Sequence, residues 1–187
     1  MLKNTKFLYG IIAVLLAVCI LCISHIAIDR KLMYEQRTRF VTTLSARTEG
    51  VYEWIVTLLD ENAQDYRPDV SLASGKLYLE GLVEITDFIS ASPLYYNDLF
   101  TKKVYFGGAS EFHHCLINVN IRFSEIQQNL DKNGSLSEED REYLEKAETA
   151  FGELFSKLET DDVINEQAIK NDLYLTYVCL DFIENME

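Results

Sequence analysis

Residues 7–28 read FLYGIIAVLLAVCILCISHIAI, with no Asp, Glu, Lys or Arg among them. No other feature restricts the fold of this chain as much. As a helix rising ~1.5 Å per residue the run covers about 33 Å, the thickness of a bilayer's hydrocarbon core. A helix that is apolar on every face must be buried on every face, in lipid or in protein. The run is longer than the apolar core of a secretory signal. Cys22, Ile23 and Ser24 offer a cleavage site of sorts. Ala27, however, has His25 two places before it, and Val18 ahead of Cys19 spoils a lipoprotein signal. An uncleaved anchor is the expected reading. Residues 1–6 are then a short head, 7–28 a transmembrane helix and 29–187 the body.

Charge does not orient the anchor. Lys3 and Lys6 precede it, while Arg30, Lys31, Arg37 and Arg39 follow it, diluted by Asp29 and Glu35. A short head before a first span usually stays in the cytoplasm. The expected arrangement is thus a single-pass cell-membrane protein with a cytoplasmic N-terminus and an extracytoplasmic body. That head is too short to hold a signalling module. All 30 acidic residues follow the run, against 15 of the 17 basic ones. The body therefore carries a surplus of negative charge. It would be repelled by nucleic acid and by anionic lipid. Cationic groups, metal ions or a basic protein face are the partners it could attract.

Beyond the anchor the apolar residues recur at helical spacing. Phe40, Leu44, Arg47, Val51, Trp54 and Leu58 mark a first helix that continues the anchor and ends before Pro68. A second is expected from about Leu72 to Ile89, a third through Phe112, Cys115 or Leu116, Val119, Phe123, Ile126 and Leu130. The fourth carries Leu144, Ala147, Phe151, Leu154 and Leu158. The fifth begins after Asp161-Asp162 and carries Ile169, Leu173, Tyr177, Leu180 and Ile183. No run alternates as a strand does. The expected fold is all-α, with the anchor helix running on into an antiparallel bundle of four to five helices whose stripes face one another.

Residues 129–144, NLDKNGSLSEEDREYL, fit two descriptions. As a calcium loop, Asn129, Asp131, Asn133, Ser137 and Asp140 would stand at ligand positions, with Gly134 at the sharp turn. Asn129 replaces the usual first Asp, and Asp140 is one methylene shorter than the usual closing Glu, so binding would be weak. As a plain turn, Asn133-Gly134 ends one helix and Ser137 caps the next, with Glu138, Glu139 and Asp140 answering the helix dipole. The turn explains every letter and is the expected reading. No cofactor is expected, calcium being the one candidate.

Other chemistry is sparse. His113 and His114 are adjacent and diverge by about 100° on a helix, so one exposed ring and one at the core border are expected. No Ser-His-Asp arrangement, G-x-S-x-G, H-E-x-x-H or phosphate-cradling glycine loop occurs, and an enzyme is not expected. Cys19 and Cys22 lie in the apolar run. Cys115 and Cys179 lie in the body and could pair if it faces an oxidising space. Ala13 and Ala17 are spaced to let a second membrane helix approach. The strongest binding candidate is the segment holding Tyr95, Tyr96, Phe100, Tyr105 and Phe106, together with the basic pair Lys102 and Lys103. Tyrosine joins apolar area to a hydroxyl and suits interfaces. The alternative for this segment is that it closes one end of the bundle.

The order of these parts resembles one family. A short basic head, one span, a long first helix, a second closing in Ser92-Pro93-Leu94, a third helix, the turn LDKNGSLSEEDREYL and another long helix are similar to the N-terminal helical region of the YpeB family of spore-germination proteins of endospore-forming bacteria. That family continues into C-terminal PepSY-type domains. The resemblance implies a non-enzymatic partner of a cell-wall hydrolase outside the membrane, and carries no functional residue across. The function expected from the chain is that of a membrane-anchored scaffold or accessory subunit binding a protein partner. The alternative is a small-ligand or calcium sensor using the 129–140 loop or a pocket between helices.

Overall fold

The computed structural model describes residues 2–60, 68–90 and 107–187, with side chains described for 9–60, 75–87 and 107–187. The chain is all-α. Its helices are α1 (Leu2–Leu59), α2 (Pro68–Ser90), α3 (Ala109–Asn133), α4 (Glu138–Leu158), α5 (Glu166–Lys170) and α6 (Asp172–Met186), with two short strands, β1 (Glu159–Thr160) and β2 (Val163–Ile164), after α4. It divides into two compact units, Met1–Gln36 and Arg37–Glu187.

In the first unit every residue from 9 to 28 is exposed. This is the one helix among the described residues long and apolar enough to cross a membrane, a test that a signal sequence also passes.

The second unit is built around one core. Within it α1 buries Val41, Leu44, Val51, Trp54, Ile55 and Leu58. These keep the spacing of three and four that places side chains on one helix face. Ser45 and Thr48 lie on the same buried face, and the Ser45 hydroxyl donates to Glu159 Oε2 at 2.6 Å. Arg37 pairs with Asp172 at the start of α6. Burial pulls the Arg37 guanidinium below its ordinary pKa.

Helix α2 begins at Pro68, earlier than the periodicity places it. Proline suits the first helical position, where its missing N–H costs nothing. It meets α1 through glycines. A Cβ on Gly75 would lie 1.9 Å from Trp54 Cδ2, one on Gly50 2.7 Å from the Tyr78 ring, and one on Gly81 3.0 Å from Arg47 Nε. Each ring or guanidinium thus lies close on helix backbone: a Cβ would overlap the rings at Gly75 and Gly50, and at Gly81 would require a small shift of the flexible Arg47. Arg47, the polar interruption in the α1 stripe, also lies over the Tyr78 ring at 5.8 Å. Residues rise along α1 (47, 50, 54) as their partners fall along α2 (81, 78, 75). Gly75→Ala is expected to destabilise the second unit by about 1–3 kcal/mol, because buried Trp54 (6% exposed) has nowhere to move. Gly50→Ala should cost less, since Tyr78 (38% exposed) can swing outward and alanine favours a helix by up to about 1 kcal/mol. Chemical denaturation followed by the fluorescence of the single tryptophan checks the order. Equal costs would contradict it.

Helices α3 and α4 bury the predicted stripes: Phe112, Leu116, Val119, Phe123, Ile126 and Leu130 on α3, with Leu116 rather than Cys115 inside, and Leu144, Ala147, Phe151, Leu154 and Leu158 on α4. The turn between them has the expected caps. Gly134 is left-handed (φ 70°), and its N–H donates to Leu130 O. The Ser137 side chain accepts from the Asp140 N–H.

The last stretch departs from expectation in two ways. A two-residue antiparallel ladder pairs Glu159 with Ile164 and Thr160 with Val163 across Asp161-Asp162, both at positive φ (52° and 61°). Aspartate tolerates this region because its short side chain hydrogen-bonds locally. The expected single fifth helix is two: Asn165 caps α5, and the Asn171 side chain accepts from Leu173 and Tyr174 N–H to start α6. Moreover α6 buries Leu175, Val178, Cys179 and Phe182, and leaves Leu173, Tyr177 and Leu180 exposed. The break at Asn171 resets the helical phase, and a helix this apolar offers more than one face to the core.

Candidate functional site

The chemistry of the second unit gathers where α3, α4 and α6 meet. A cleft of about 650 Å³ opens there. One face of α3 supplies Cys115, Asn118, Val119 and Arg122. Tyr143 comes from α4, and Leu180, Ile183 and Met186 from α6. Exposed Glu111, His114 and Glu187 complete the mouth. The spacing of 115, 118, 119 and 122 is why one helix presents them together.

Arg122 organises one side of the cleft. Its guanidinium pairs with Asp140 at 3.0 Å, donates to Glu139 at 3.3 Å and to Glu125 at 3.4 Å, and lies 5.5 Å from the centre of the Tyr143 ring. Tyr143 in turn meets Phe123 edge to face at 6.1 Å. Burial pushes the Tyr143 hydroxyl up to about 12, against a smaller opposing pull from Arg122. Burial likewise pushes the Cys115 thiol up to about 11, and the wholly buried Cys179 thiol rises further. A thiol held protonated is a poor nucleophile at neutral pH, so Cys115 is placed as lining rather than as a reactive group.

These shifts carry a pH dependence. In the unfolded chain the thiols ionise near 9.0 and the phenol near 10.0, and in the folded state all three hold their protons to higher pH. The folded state binds more protons above pH 9, so its stability falls as pH rises. The contribution is full below about pH 9 and is lost progressively through about pH 11–12. Urea midpoints should decline from pH 8 to pH 10, and the decline should shrink in a Cys115→Ala, Cys179→Val variant. A midpoint flat across that range would refute it.

The structure places the residues singled out from sequence in three groups. Tyr95, Tyr96, Phe100, Lys102, Lys103, Tyr105 and Phe106 lie outside the described residues. Just beyond them, Gly107 and Gly108 pack on Thr176 and Leu180 of α6, where a Cβ would come within 3.2 Å and 3.0 Å. In the 129–140 loop, Asn129 Nδ2 donates to Asp140 Oδ2 at 3.4 Å, and Ser137 caps α4. Asp140 is buried and turned to Arg122, whereas Asp131 and Asn133 are exposed. A divalent ion would have to compete with a guanidinium already on the closing carboxylate. No cluster of three or more His, Cys, Asp or Glu fit for a metal occurs among the described residues. Cys115 and Cys179 are free thiols, so the pairing considered from their count is not formed here. One lines the cleft and the other faces the core.

His113 is buried and His114 exposed, their rings 5.8 Å apart. His113 Nδ1 is 3.0 Å from Thr86 Oγ1, and its Nε2 is 3.6 Å from Asp87. Thr86 Oγ1 also lies 2.8 Å from Leu82 O, to which its single proton is donated. The Thr86 hydroxyl and His113 Nδ1 thus share a buried hydrogen bond between the two helices. The three side chains tie α2 to α3. Arg122 and Tyr143 escaped the sequence reading. The only signal for them was an arginine on the border of an otherwise apolar α3 stripe.

Comparison with protein-family models, curated proteins and solved structures finds no match.

Proposed function

We propose that the chain is a membrane-anchored scaffold or accessory subunit without catalytic activity, holding a protein partner outside the cytoplasm. The observation that carries this reading is helix α1. One uninterrupted helix is exposed and apolar from 9 to 28 and supplies buried core residues from Val41 to Leu58. An apolar surface of that extent needs a cover, and lipid is the cover that its length fits. The body is an antiparallel bundle in this reading. The opposed numbering of the α1–α2 contacts supports that, as does the approach of Lys157 to Asp181 (2.5 Å) and of Phe151 to Phe182 across α4 and α6. The partner surface in this reading is the aromatic segment 94–106, whose tyrosines join apolar area to hydroxyls. The acidic body favours a partner with a basic face, and the YpeB-like order of elements suggests a cell-wall hydrolase as its kind.

The full chain should stay in the membrane pellet after alkaline carbonate extraction, and protease added to intact cells should digest the body. Covalent capture should give a partner band that weakens at least several-fold in a Tyr95→Ala, Tyr96→Ala variant. A freely dissolved product lacking its first two dozen residues would overturn the anchor. An unchanged partner band would overturn the aromatic surface.

A further inference from the structure

The cleft among α3, α4 and α6 is argued from its own lining and does not rest on the anchor or on the aromatic segment. Its volume of about 650 Å³ lies in the range of small-molecule sites. Val119, Leu180, Ile183 and Met186 give it an apolar wall. Its charge is one-sided. Glu111 and Glu187 stand at the mouth. Arg122 is a formal cation, but three carboxylates lie within 3.4 Å of its guanidinium, so their negative charge exceeds its own. An organic anion would meet that surplus. A neutral apolar guest would shield the mouth carboxylates from water and return nothing to them. A guest with an apolar body and a positive end satisfies both walls.

We propose that the cleft binds a small organic cation, its apolar body against Val119, Ile183 and Met186 and its ammonium at the carboxylates of Glu111 and Glu187. Cys115, on the same lining, reports occupancy.

The test uses the full chain in zwitterionic nanodiscs at pH 8 and two probes with one apolar body, 4-phenylbutylamine and 4-phenylbutyrate. Peptide mass mapping follows alkylation of Cys115 by N-ethylmaleimide. The amine should slow alkylation of Cys115 saturably, and the carboxylate should not. Glu111→Gln, on the exposed rim, should raise the concentration of amine needed by about five-fold, the worth of roughly 1 kcal/mol. Ile183→Trp, which fills the cleft, should remove the protection. Equal protection by both probes would overturn the charge argument and the proposal with it. So would protection by the carboxylate alone, by neither probe, or protection by the amine that both variants leave unchanged.

Discussion

Phe182→Ala is expected to cost about 3–5 kcal/mol, the largest effect of any single truncation considered for this protein. Phe182 lies between two rings, meeting Phe112 edge to face at 5.4 Å and Phe151 at 4.9 Å. All three are fully buried, one each on α6, α3 and α4. Removing the middle ring leaves a cavity bounded by three helices that cannot collapse together, and forfeits two edge-to-face contacts of about 0.5–1.5 kcal/mol each. Phe182→Leu keeps most of the volume and should cost clearly less. Chemical denaturation read by Trp54 fluorescence measures both, because Trp54 meets Phe123 at 5.0 Å and so reports on the same core. A loss below about 1 kcal/mol for Phe182→Ala would mean that α6 is not held as described.

Arg122→Met should be nearly as damaging, at about 2–4 kcal/mol, for a different reason. Asp140 is 1% exposed, and among the described residues its carboxylate keeps only the Asn129 amide, at 3.4 Å, besides its place in the first turn of α4 once the guanidinium is gone. A carboxylate buried without its counter-charge costs more than the pair was worth. Adding Asp140→Leu should therefore recover at least about 1 kcal/mol, although the first turn of α4 then loses one of its three acids. Methionine retains an apolar stem beside Tyr143, so lost packing is not the main effect. If the double variant is no more stable than Arg122→Met alone, the pair behaves as a surface contact.

Much of the fold is legible in the order of residues, because helices are local objects. A stripe such as Leu144, Ala147, Phe151, Leu154 and Leu158 needs only its own spacing to declare a face, and α4 buries all five. The caps at Gly134 and Ser137 are likewise one-residue choices with one-residue reasons. Local reasoning fails where a face can be chosen more than one way. The stripe Leu173, Tyr177, Leu180 looks as good in sequence as Leu175, Val178, Phe182, and the core took the second. Nor does a local pattern foresee the left-handed pair Asp161-Asp162, whose hairpin separates α4 from α5.

The candidate site was less legible still. Residues 115, 118, 119 and 122 share a helix face, but Tyr143, Leu180 and Ile183 join them from elements far along the chain. The order of residues alone determined that the chain begins with an apolar run of membrane length, goes on as helices and carries a surplus of acid. Those properties depend on composition and on repeats of three or four residues, which no distant contact can alter. Only the tertiary structure decided that Trp54 lies on Gly75, that Arg122 takes the carboxylate a calcium loop would have used, and that α6 keeps Leu173 and Tyr177 outside. Each is a choice among locally equivalent options, and packing between helices made it.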